Sequence, residues 1–579
     1  MNKLLFYDFE VFKEDWLVVV IDMMNKKEHV IINDPAALEK LHSENVNEIW
    51  VGFNSRHYDQ YILKGILCGF DPKRINDYII VKGNPGWKFS SLFRNVKLIN
   101  YDVMTAIDRG LKTFEGFMGN NIKESSVPFD IDRKLTQEEL DETVKYCRHD
   151  VEQTVEVFLE RKDDFEAHMG LVKLACKDKP LDLFLLSKTK VQLSSIILDA
   201  VKKDHDDEFD IDFPSTMKIE KYTDVVDWYK NPENRKYNVD PDDPKSKKNQ
   251  LDIMIAGVPH VFGWGGVHGA IDKYSGEGYF LNMDVASLYP SLMIQYDLGS
   301  RNMKDPNKYE EIYHTRLQYK AEKNPLQLPL KLVLNGTYGA MKDKNNQLFD
   351  PRQANRVCTY GQLLLLDLIE KLEPHCQIIQ SNTDGVLIKM NRYEDFDLID
   401  DICYEWEQRT HLVLEFEEFR KVFQKDVNNY IIVSPDGKYK SKGAYVKKLN
   451  SLDYDLPIVN KALIDYMVKN VPVEKTVGDC DDLKEFQLVS KASGKYKHIL
   501  HGDKILIEKT IRIFASTLST DPGVQKVHAT TGRPAKIPNS PENCFIYNDE
   551  VNGVKVPKKL NKKFYIDMAN KRLADFGVI

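Results

Sequence analysis

The chain has few cysteines, and none is placed for a zinc knuckle or a disulfide framework. Its eight cysteines are scattered over 579 residues without a Cys-x-x-Cys pair, which is typical of a reducing compartment. Apolar runs long enough to span a bilayer are also missing. The first ten residues contain two acids, which argues against a secretory signal. We therefore expect a cytoplasmic protein without membrane contact, in the host cytoplasm if the source is viral.

A strong net charge is absent too. The formal net charge is -8, with 42% hydrophobic and 29% charged residues, as in ordinary soluble globular proteins. The distribution is uneven, however, because residues 485–579 carry 16 Lys and Arg against 9 Asp and Glu. This basic stretch suits nucleic-acid phosphates, but charge alone favours a solvated lysine-rich surface over that interpretation.

The length exceeds what one hydrophobic core normally serves and predicts several domains. Residues 1 to about 165 alternate between strand and helix patterns, which indicates an α/β domain. Residues 231–250 are rich in Pro, Asn, Asp and Lys and are expected to form a loop or boundary. Strand patterns, then helices over 307–372, then further strands follow up to about residue 448.

A first group of acids lies in the N-terminal region. In "YDFE", Asp8 and Glu10 are two apart on a predicted strand, so both carboxylates point to one face. Asp59 follows the next strand, and Tyr146 and Asp150 are four apart on a predicted helix. Four carboxylates on three elements could hold two divalent cations, which is the arrangement used for in-line phosphoryl displacement.

A second pair of acids lies about a hundred residues apart. "LNMDVASLYPS" alternates like a strand and ends at Asp284, while "CQIIQSNTDGVLIKM" predicts a hairpin with Asp384 and Gly385 near its turn. A hairpin tip beside a strand exit can hold two carboxylates around a metal pair.

Cationic side chains lie between these two acids. Lys331, Asn335 and Tyr338 fall on one face of a predicted helix in "PLKLVLNGTYGAM", and Arg316 and Lys320 are four apart on the helix before it. Cations that converge near a helix N-terminus suit a triphosphate.

These motifs resemble those of family B DNA polymerases. "DVASLYPS", "KLVLNGTYG" and "SNTDG" look like the three polymerase motifs of that family, and "YDFE", "NSRHYD" and "YCRHD" look like its proofreading 3′–5′ exonuclease motifs. The resemblance implies an α/β and α+β multidomain fold, with a ribonuclease-H-like exonuclease domain before a right-hand polymerase. The implied domains are an exonuclease at 1–170, palm at 171–310 and 365–450 (with the linker 231–250), fingers at 311–364 and thumb at 451–579.

The resemblance also implies roles for individual residues. Catalysis is expected from Asp284, Asp384, Asp8, Glu10, Asp59, Tyr146 and Asp150. Nucleotide binding is expected from Arg316, Lys320, Lys331, Asn335, Tyr338, Tyr289, Leu288 and Ser287. DNA binding is expected from Tyr430, Lys442, Gly443, Gly265, Gly266 and Asn54. Metal binding is expected from Asp284, Val285, Asp384, Asp8, Glu10 and Asp150.

The implied activity is template-directed addition of dNTPs to a primer 3′-hydroxyl, with 3′–5′ proofreading. Two Mg²⁺ ions are expected in each active site, with Mn²⁺ as a substitute. The expected partners are primer-template DNA, dNTPs and single-stranded DNA at the exonuclease site. We expect a monomer that works with replisome accessory proteins. Tyr289 would exclude the 2′-hydroxyl of ribonucleotides.

The sequence also departs from the family pattern. Asn382 replaces the first Asp of the third polymerase motif, while Asp384 is retained. The exonuclease motifs begin at Asp8, without the large N-terminal domain of many members, as in the compact phage and plasmid enzymes. The interval of about 47 residues between the first two polymerase motifs argues against protein priming.

Two other functions stay open at this level. The chain could be a 3′–5′ exonuclease whose polymerase-like body only binds DNA, and Asn382 favours that alternative. It could also be a replication scaffold without enzymatic activity. A reverse transcriptase fits less well, because the Tyr-x-Asp-Asp signature is missing.

Overall fold

The chain divides into two units in the computed structural model, which describes residues 2–104, 109–177 and 179–578. The first unit comprises 1–189, 449–458 and 477–566, and the second comprises 190–448, 459–476 and 567–579. The segment predicted as a thumb, 451–579, is therefore not one unit, since most of it clusters with the N-terminal region. The domain names themselves stay predictions.

The N-terminal part of the first unit is a five-stranded mixed sheet with helices. Its elements are β1 (Leu4–Val11), β2 (Trp16–Asp22), β3 (Lys27–Ile32), α1 (Pro35–Glu44), β4 (Ile49–Gly52), α2 (Asp59–Leu67), α3 (Pro72–Asn76), β5 (Ile99–Asp102), α4 (Leu111–Met118), α5 (Gln137–Glu160) and α6 (Lys162–Cys176). The strand order is β3-β2-β1-β4-β5. Strands β1, β4 and β5 pair in parallel, while β2 and β3 are antiparallel. The predicted α/β character of this region is confirmed.

The second unit is built on a nine-stranded antiparallel sheet. Its elements are α7 (Lys190–Ile197), α8 (Thr223–Lys230), β6 (Gln250–Ile255), β7 (Val258–Gly263), β8 (His268–Ala270), β9 (Tyr274–Val285), α9 (Leu288–Gln295), α10 (Asn307–Ala321), α11 (Gln327–Lys342), α12 (Pro351–Leu372), β10 (Gln377–Ser381), β11 (Gly385–Met390), α13 (Phe396–Thr410), β12 (Leu414–Asp426), β13 (Asn429–Val433) and β14 (Tyr439–Lys442). The strand order is β14-β13-β12-β9-β11-β10-β8-β7-β6.

The local sequence explains the central elements of this sheet. Strand β9 buries Leu281 and Met283 and leaves Asn282 and Asp284 partly exposed, as its alternation predicts. Helix α12 is buried on nearly every side, so its long apolar run forms core between the other elements.

The C-terminal part of the chain forms two small sheets. Its elements are α14 (Pro457–Lys469), α15 (Val473–Asp479), β15 (Leu488–Lys491), β16 (Tyr496–His501), β17 (Lys504–Leu506), β18 (Thr510–Ala515), β19 (Val524–His528), β20 (Pro534–Lys536), β21 (Cys544–Ile546) and α16 (Lys562–Asp575). The strand orders are β15-β18-β21 and β17-β16-β19-β20. Among the helices of the described residues, none has both the length and the apolar character needed for a membrane span.

Candidate active sites

The acids predicted in the N-terminal region meet at one end of strand β1. Asp8 and Glu10 lie on β1, and with the Cys147 thiol on α5 they place ligand atoms within 4.8 Å of one another. The Cys147 thiol donates to the backbone oxygen of Asp8 at 3.3 Å. The backbone N–H of Phe9 donates to Asp59 Oδ1 at 3.2 Å, which ties the start of α2 to β1. We call Asp8, Glu10, Asp59 and Asp150 the first acidic centre.

Burial and mutual repulsion raise the pKa values in this centre. Burial raises the pKa of Asp59 to about 7 and that of Asp150 to about 6. The pKa values of Asp8 and Glu10 are also well above their usual range, because both carboxyls are buried and face other acids of the centre. Carboxylates in this position are stabilised by a cation, so the donor set fits divalent metal ions.

A lysine that the sequence patterns do not single out reaches this centre. Lys112, on α4, contacts Asp150 and lies 3.1 Å from Glu115 Oε1. Its ammonium also lies 4.6 Å from the centre of the Tyr146 ring. Although burial lowers the pKa of Lys112, the contacts with Asp150 and Glu115 raise it overall. The lysine is therefore charged and holds one carboxylate of the centre.

Two further polar groups surround Lys112. Glu115 is fully buried, and its Oε2 lies 3.5 Å from His149 Nε2. Glu115, His149 and Asp150 also place ligand atoms within 4.8 Å of one another. Asp150 is predicted from the sequence, whereas the sequence signal for Lys112 and Glu115 is only their i,i+3 spacing. Asn54, which is predicted to bind DNA, lies five residues before Asp59 in the sequence. It has a positive φ of 60°, and its backbone N–H donates to Asp102 Oδ1 at 2.8 Å.

The second pair of predicted acids meets across strands β9 and β11. Asp284 is opposite Gly385 in the antiparallel register, and the Val285 N–H donates to the backbone oxygen of Asp384 at 2.7 Å. Strand β12 flanks β9 on its other side, with Glu415 opposite Asp284. We call Asp284, Asp384 and the Val285 carbonyl the second acidic centre.

The two carboxylate oxygens of Asp284 differ in their hydrogen bonding. Its Oδ2 accepts from Asn282 at 2.8 Å, while its Oδ1 is buried without a hydrogen-bond partner among the described residues. Burial, followed by repulsion from Asp384, raises the pKa of Asp284 to about 6. A buried, unpartnered carboxylate oxygen beside a second carboxylate fits a divalent cation.

Asn382 shapes the turn that carries Asp384. Its Oδ1 accepts from the N–H groups of Asp384 at 3.1 Å and Gly385 at 2.7 Å. An aspartate carboxylate would accept the same two hydrogen bonds. The replacement of Asp by Asn at this position therefore preserves the turn and removes one negative charge.

A polar cavity of about 580 Å³ adjoins the second acidic centre. It is lined by Asn282, Asp284, Gln380, Asn382, Tyr430, Ile432, Tyr439, Lys440, Ser441, Lys442 and Lys448. Tyr430 is opposite Lys442 in the β13–β14 hairpin. Gly443 follows with a φ of 100°, and a β-carbon there would lie 2.2 Å from the Asn428 carbonyl oxygen. The hairpin thus needs glycine at this position.

The glycine segment before β8 meets the turn between β10 and β11. A β-carbon on Gly266 would lie 2.3 Å from Thr383 Oγ1, whereas the corresponding position at Gly265 is open space. Gly266 therefore lets the segment lie close to the turn that carries Asp384.

Helices α9, α10 and α11 carry the aromatic and cationic side chains that are predicted to bind the nucleotide. The rings of Tyr289 on α9 and Tyr338 on α11 have centroids 4.4 Å apart. Arg316 on α10 is 9% exposed; it donates to Ser287 Oγ at 3.4 Å, and its Nε has no partner among the described residues. Ser287 caps α9 with a positive φ of 50°.

The remaining predicted nucleotide-binding residues are not joined to this group. Lys320, Lys331 and Asn335 are exposed, and within the described residues no hydrogen bond or ion pair holds their side chains. The Leu288 side chain is buried, and a β-carbon on Gly361 of α12 would lie 3.3 Å from it. Any contact of Leu288 with a nucleotide would therefore use its backbone.

Comparison with curated proteins gives relatives that share the name DNA polymerase 1. No protein-family profile matches the chain. The chain is 24% identical over 222 residues to DNA polymerase 1 of Saccharolobus solfataricus, which covers 37% of this chain and 23% of that protein. It is 24% identical over 245 residues to DNA polymerase 1 of Aeropyrum pernix, covering 35% and 25% respectively. The chain is thus similar, over roughly a third of its length, to proteins named DNA polymerase 1.

Each of these matches is partial. The matched region of DNA polymerase 1 of Sulfolobus acidocaldarius is 27% identical over 132 residues and covers 15% of that protein. The chain thus spans a quarter or less of the length of these relatives. A solved family B DNA polymerase from Pyrobaculum calidifontis aligns with 100% of this chain and 78% of its own, at 13% identity and a TM-score of 0.42.

Proposed function

We propose that the chain is a template-directed DNA polymerase with a separate 3′–5′ exonuclease centre. Synthesis is assigned to the second acidic centre and degradation to the first. The observation that carries the proposal is Asp284 Oδ1, which is buried without a hydrogen-bond partner among the residues that the structure describes. Asp284 lies in a strand next to the turn that bears Asp384. The relatives named DNA polymerase 1 support the same reading.

In the second centre, Asp284, Asp384 and the Val285 carbonyl would hold divalent cations, with Mg²⁺ as the proposed ion and Mn²⁺ as a substitute. When bound, such cations neutralise the charge that develops on the attacking and leaving oxygens. The contribution of the chain is to fix the carboxylates and to exclude wrong geometries, because phosphoryl transfer depends on positioning and electrostatics.

The side chains around the second acidic centre suit a nucleoside triphosphate and primer-template DNA. Arg316 beside Ser287 supplies a buried positive charge for a triphosphate, and Lys320 and Lys331 add exposed ones. The cavity lined by Tyr430 and Lys442 suits the primer end. The small C-terminal sheets carry most of the basic excess of 485–579, which suits duplex phosphates and predicts weaker binding at high salt.

In the first centre, Asp8, Glu10 and Asp150 would hold cations for hydrolysis of a single-stranded 3′ end. Asp59 is joined to β1 through the Phe9 N–H and completes the acidic set. Tyr146 on α5 is proposed to orient the attacking water. The charged Lys112 would keep Asp150 ionised and in place.

The test is a primer-extension and a strand-degradation assay on the same variants with Mg²⁺. Asp284→Ala should lose extension and keep degradation, and Asp150→Ala should do the reverse. Asp400→Ala, an exposed acid on α13, and Asp141→Ala, an exposed acid on α5, are matched controls that should keep both activities.

The same assay decides between the proposal and the exonuclease with a non-catalytic body. Wild-type protein that degrades single strands but never extends a primer would favour the alternative. Asn382 does not favour that alternative by itself, because its hydrogen bonds preserve the turn of Asp384. If the wild-type protein showed neither extension nor degradation, the remaining hypothesis would be a replication scaffold without enzymatic activity.

A further inference from the structure

Helix α4 lies between the first acidic centre and the C-terminal part of the same unit. One side of α4 presents Lys112 to Asp150, as described above. The residues that end the helix and follow it, 116–124, are bound to residues 484–551, which are more than 350 positions away in the sequence. This long-range attachment is separate from the acids themselves.

Arg512 on β18 is the centre of that attachment. The side chain is fully buried, and its Nη2 donates to the carbonyl oxygens of Gly116 at 3.0 Å and Asn120 at 2.8 Å. Its Nη1 donates to Asp549 O at 2.7 Å and Tyr547 O at 3.3 Å. One guanidinium therefore joins the end of α4 to the strand region of the C-terminal part.

Burial of the Arg512 guanidinium costs folding free energy, which a purely structural residue at this position would not need to cost. Its guanidinium hydrogen bonds within the described residues all go to backbone carbonyls, and its Nε has no partner there. Burial lowers its pKa to about 10. A buried cation without an ion-pair partner destabilises a fold relative to an apolar residue of similar size. The planar fork of arginine, however, is suited to holding several carbonyls at fixed positions.

Other contacts follow the same path. Lys484 Nζ donates to Met118 O at 2.7 Å, and the Val551 N–H donates to Gly119 O at 2.9 Å. A β-carbon on Gly116 would lie 2.7 Å from Val489, so α4 and β15 are in close contact. Glycine at position 116 permits this approach.

We propose that Arg512 is a positioning residue for strand degradation: it fixes α4 so that Lys112 stays on Asp150. The inference rests on the proposed exonuclease function. Gly116 is one helical turn after Lys112 and directly follows Glu115, which is 3.1 Å from the lysine ammonium. A shift of the helix end therefore moves the lysine relative to the acids.

The experiment compares Arg512→Lys with Tyr565→Phe. Lysine keeps the charge but cannot reach both pairs of carbonyls. The control removes the Tyr565 hydroxyl that accepts from Ala515 N on the same strand, and its hydrogen bond does not involve 110–124. We expect Arg512→Lys to lower kcat for single-strand degradation about tenfold, with KM and primer extension near wild type. Tyr565→Phe should leave all three unchanged.

A double variant separates positioning from general destabilisation. If Arg512 acts through the lysine, Arg512→Lys should have no further effect on degradation in a Lys112→Ala background. Lys484→Met, which removes one hydrogen bond to the end of α4, should give a smaller loss of the same kind. Additive losses in the double variant, or equal losses of synthesis and degradation, would overturn the proposal.

Amide hydrogen exchange tests the same link without activity. Residues 111–124 should exchange faster in Arg512→Lys than in wild type or Tyr565→Phe. Unchanged exchange in 111–124 would refute the positioning role. Exchange could rise in Arg512→Lys while the wild-type protein degrades no DNA. That result would confirm that Arg512 fixes α4 and would refute the proposed exonuclease function.

Discussion

Gly385 lies opposite Asp284 in neighbouring strands, and a β-carbon on Gly385 would come 1.9 Å from Asp284 Oδ1. The same β-carbon would lie 2.9 Å from the Met283 carbonyl oxygen. The carboxylate oxygen without a hydrogen-bond partner in the described part of the chain is therefore the atom that needs glycine opposite it. Nothing larger fits without moving the acid.

Gly385→Ala should consequently impair synthesis strongly through displacement of Asp284. We expect primer extension to fall by about a hundredfold, since a 1 Å misplacement in an active site costs this much. Degradation should be unaffected, because the first acidic centre belongs to the other unit. Gly478→Ala is the matched control, because a β-carbon there meets nothing within 4 Å. Wild-type extension by Gly385→Ala would show that this contact is not needed.

Asn382 should tolerate aspartate but not leucine. Aspartate can accept the same hydrogen bonds from the N–H groups of Asp384 and Gly385, so Asn382→Asp should extend primers near the wild-type rate. Leucine removes the acceptor of both N–H groups, and the partly buried one of Gly385 then remains unpaired at a cost of up to about 1–3 kcal/mol, so Asn382→Leu should lose both extension and thermal stability. Equal rates for the two variants would contradict a role in the turn.

The sequence patterns predict the acids well because those signals are local. Two acids on one strand, an acid at a strand exit and a Tyr–Asp pair on a helix each follow from the 2.0 and 3.6 residue periods. The structure brings Asp284 next to the Asp384 turn and Asp8 next to Glu10 on this basis. Their catalytic roles stay predictions.

Lys112 and Arg512 illustrate what local patterns do not contain. A lysine on an amphipathic helix ordinarily faces solvent, and its burial here depends on Asp150, 38 positions later. The basic C-terminal stretch suggests only a surface for phosphates. Arg512 is fully buried against α4. Its burial results from packing between segments that are distant in the sequence, and a count of charges along the chain does not predict such packing.

The metal-free protein should lose stability as the pH rises from about 4 to 7. The pKa values of Asp59, Asp150 and Asp284 are raised to about 7, 6 and 6 from an ordinary value of 3.8. Each group binds its proton more tightly in the folded state, so its contribution is present below pH 3.8 and disappears as the pH passes the folded pKa.

Thermal unfolding with EDTA or with Mg²⁺ at several pH values measures this effect. The Mg²⁺-induced rise in unfolding temperature should be larger at pH 7.5 than at pH 5, at about 1–2 °C for each kcal/mol gained in a unit of this size. The variant Asp59→Asn/Asp284→Asn should show a smaller pH dependence without metal. A rise in metal-free stability between pH 5 and 7 would contradict the raised pKa values.

Tyr289 should set the choice between deoxyribonucleotides and ribonucleotides through its ring. The ring is held at 4.4 Å from that of Tyr338, and a rigidly held ring can block a 2′-hydroxyl where a mobile one could move aside. Tyr289→Ala should therefore raise incorporation of rNTPs relative to dNTPs, measured as the ratio of the two kcat/KM values. Tyr289→Phe keeps the ring and should keep the wild-type ratio. A loss of discrimination in both variants would assign it to the hydroxyl, and no change in Tyr289→Ala would move the sugar gate to another residue.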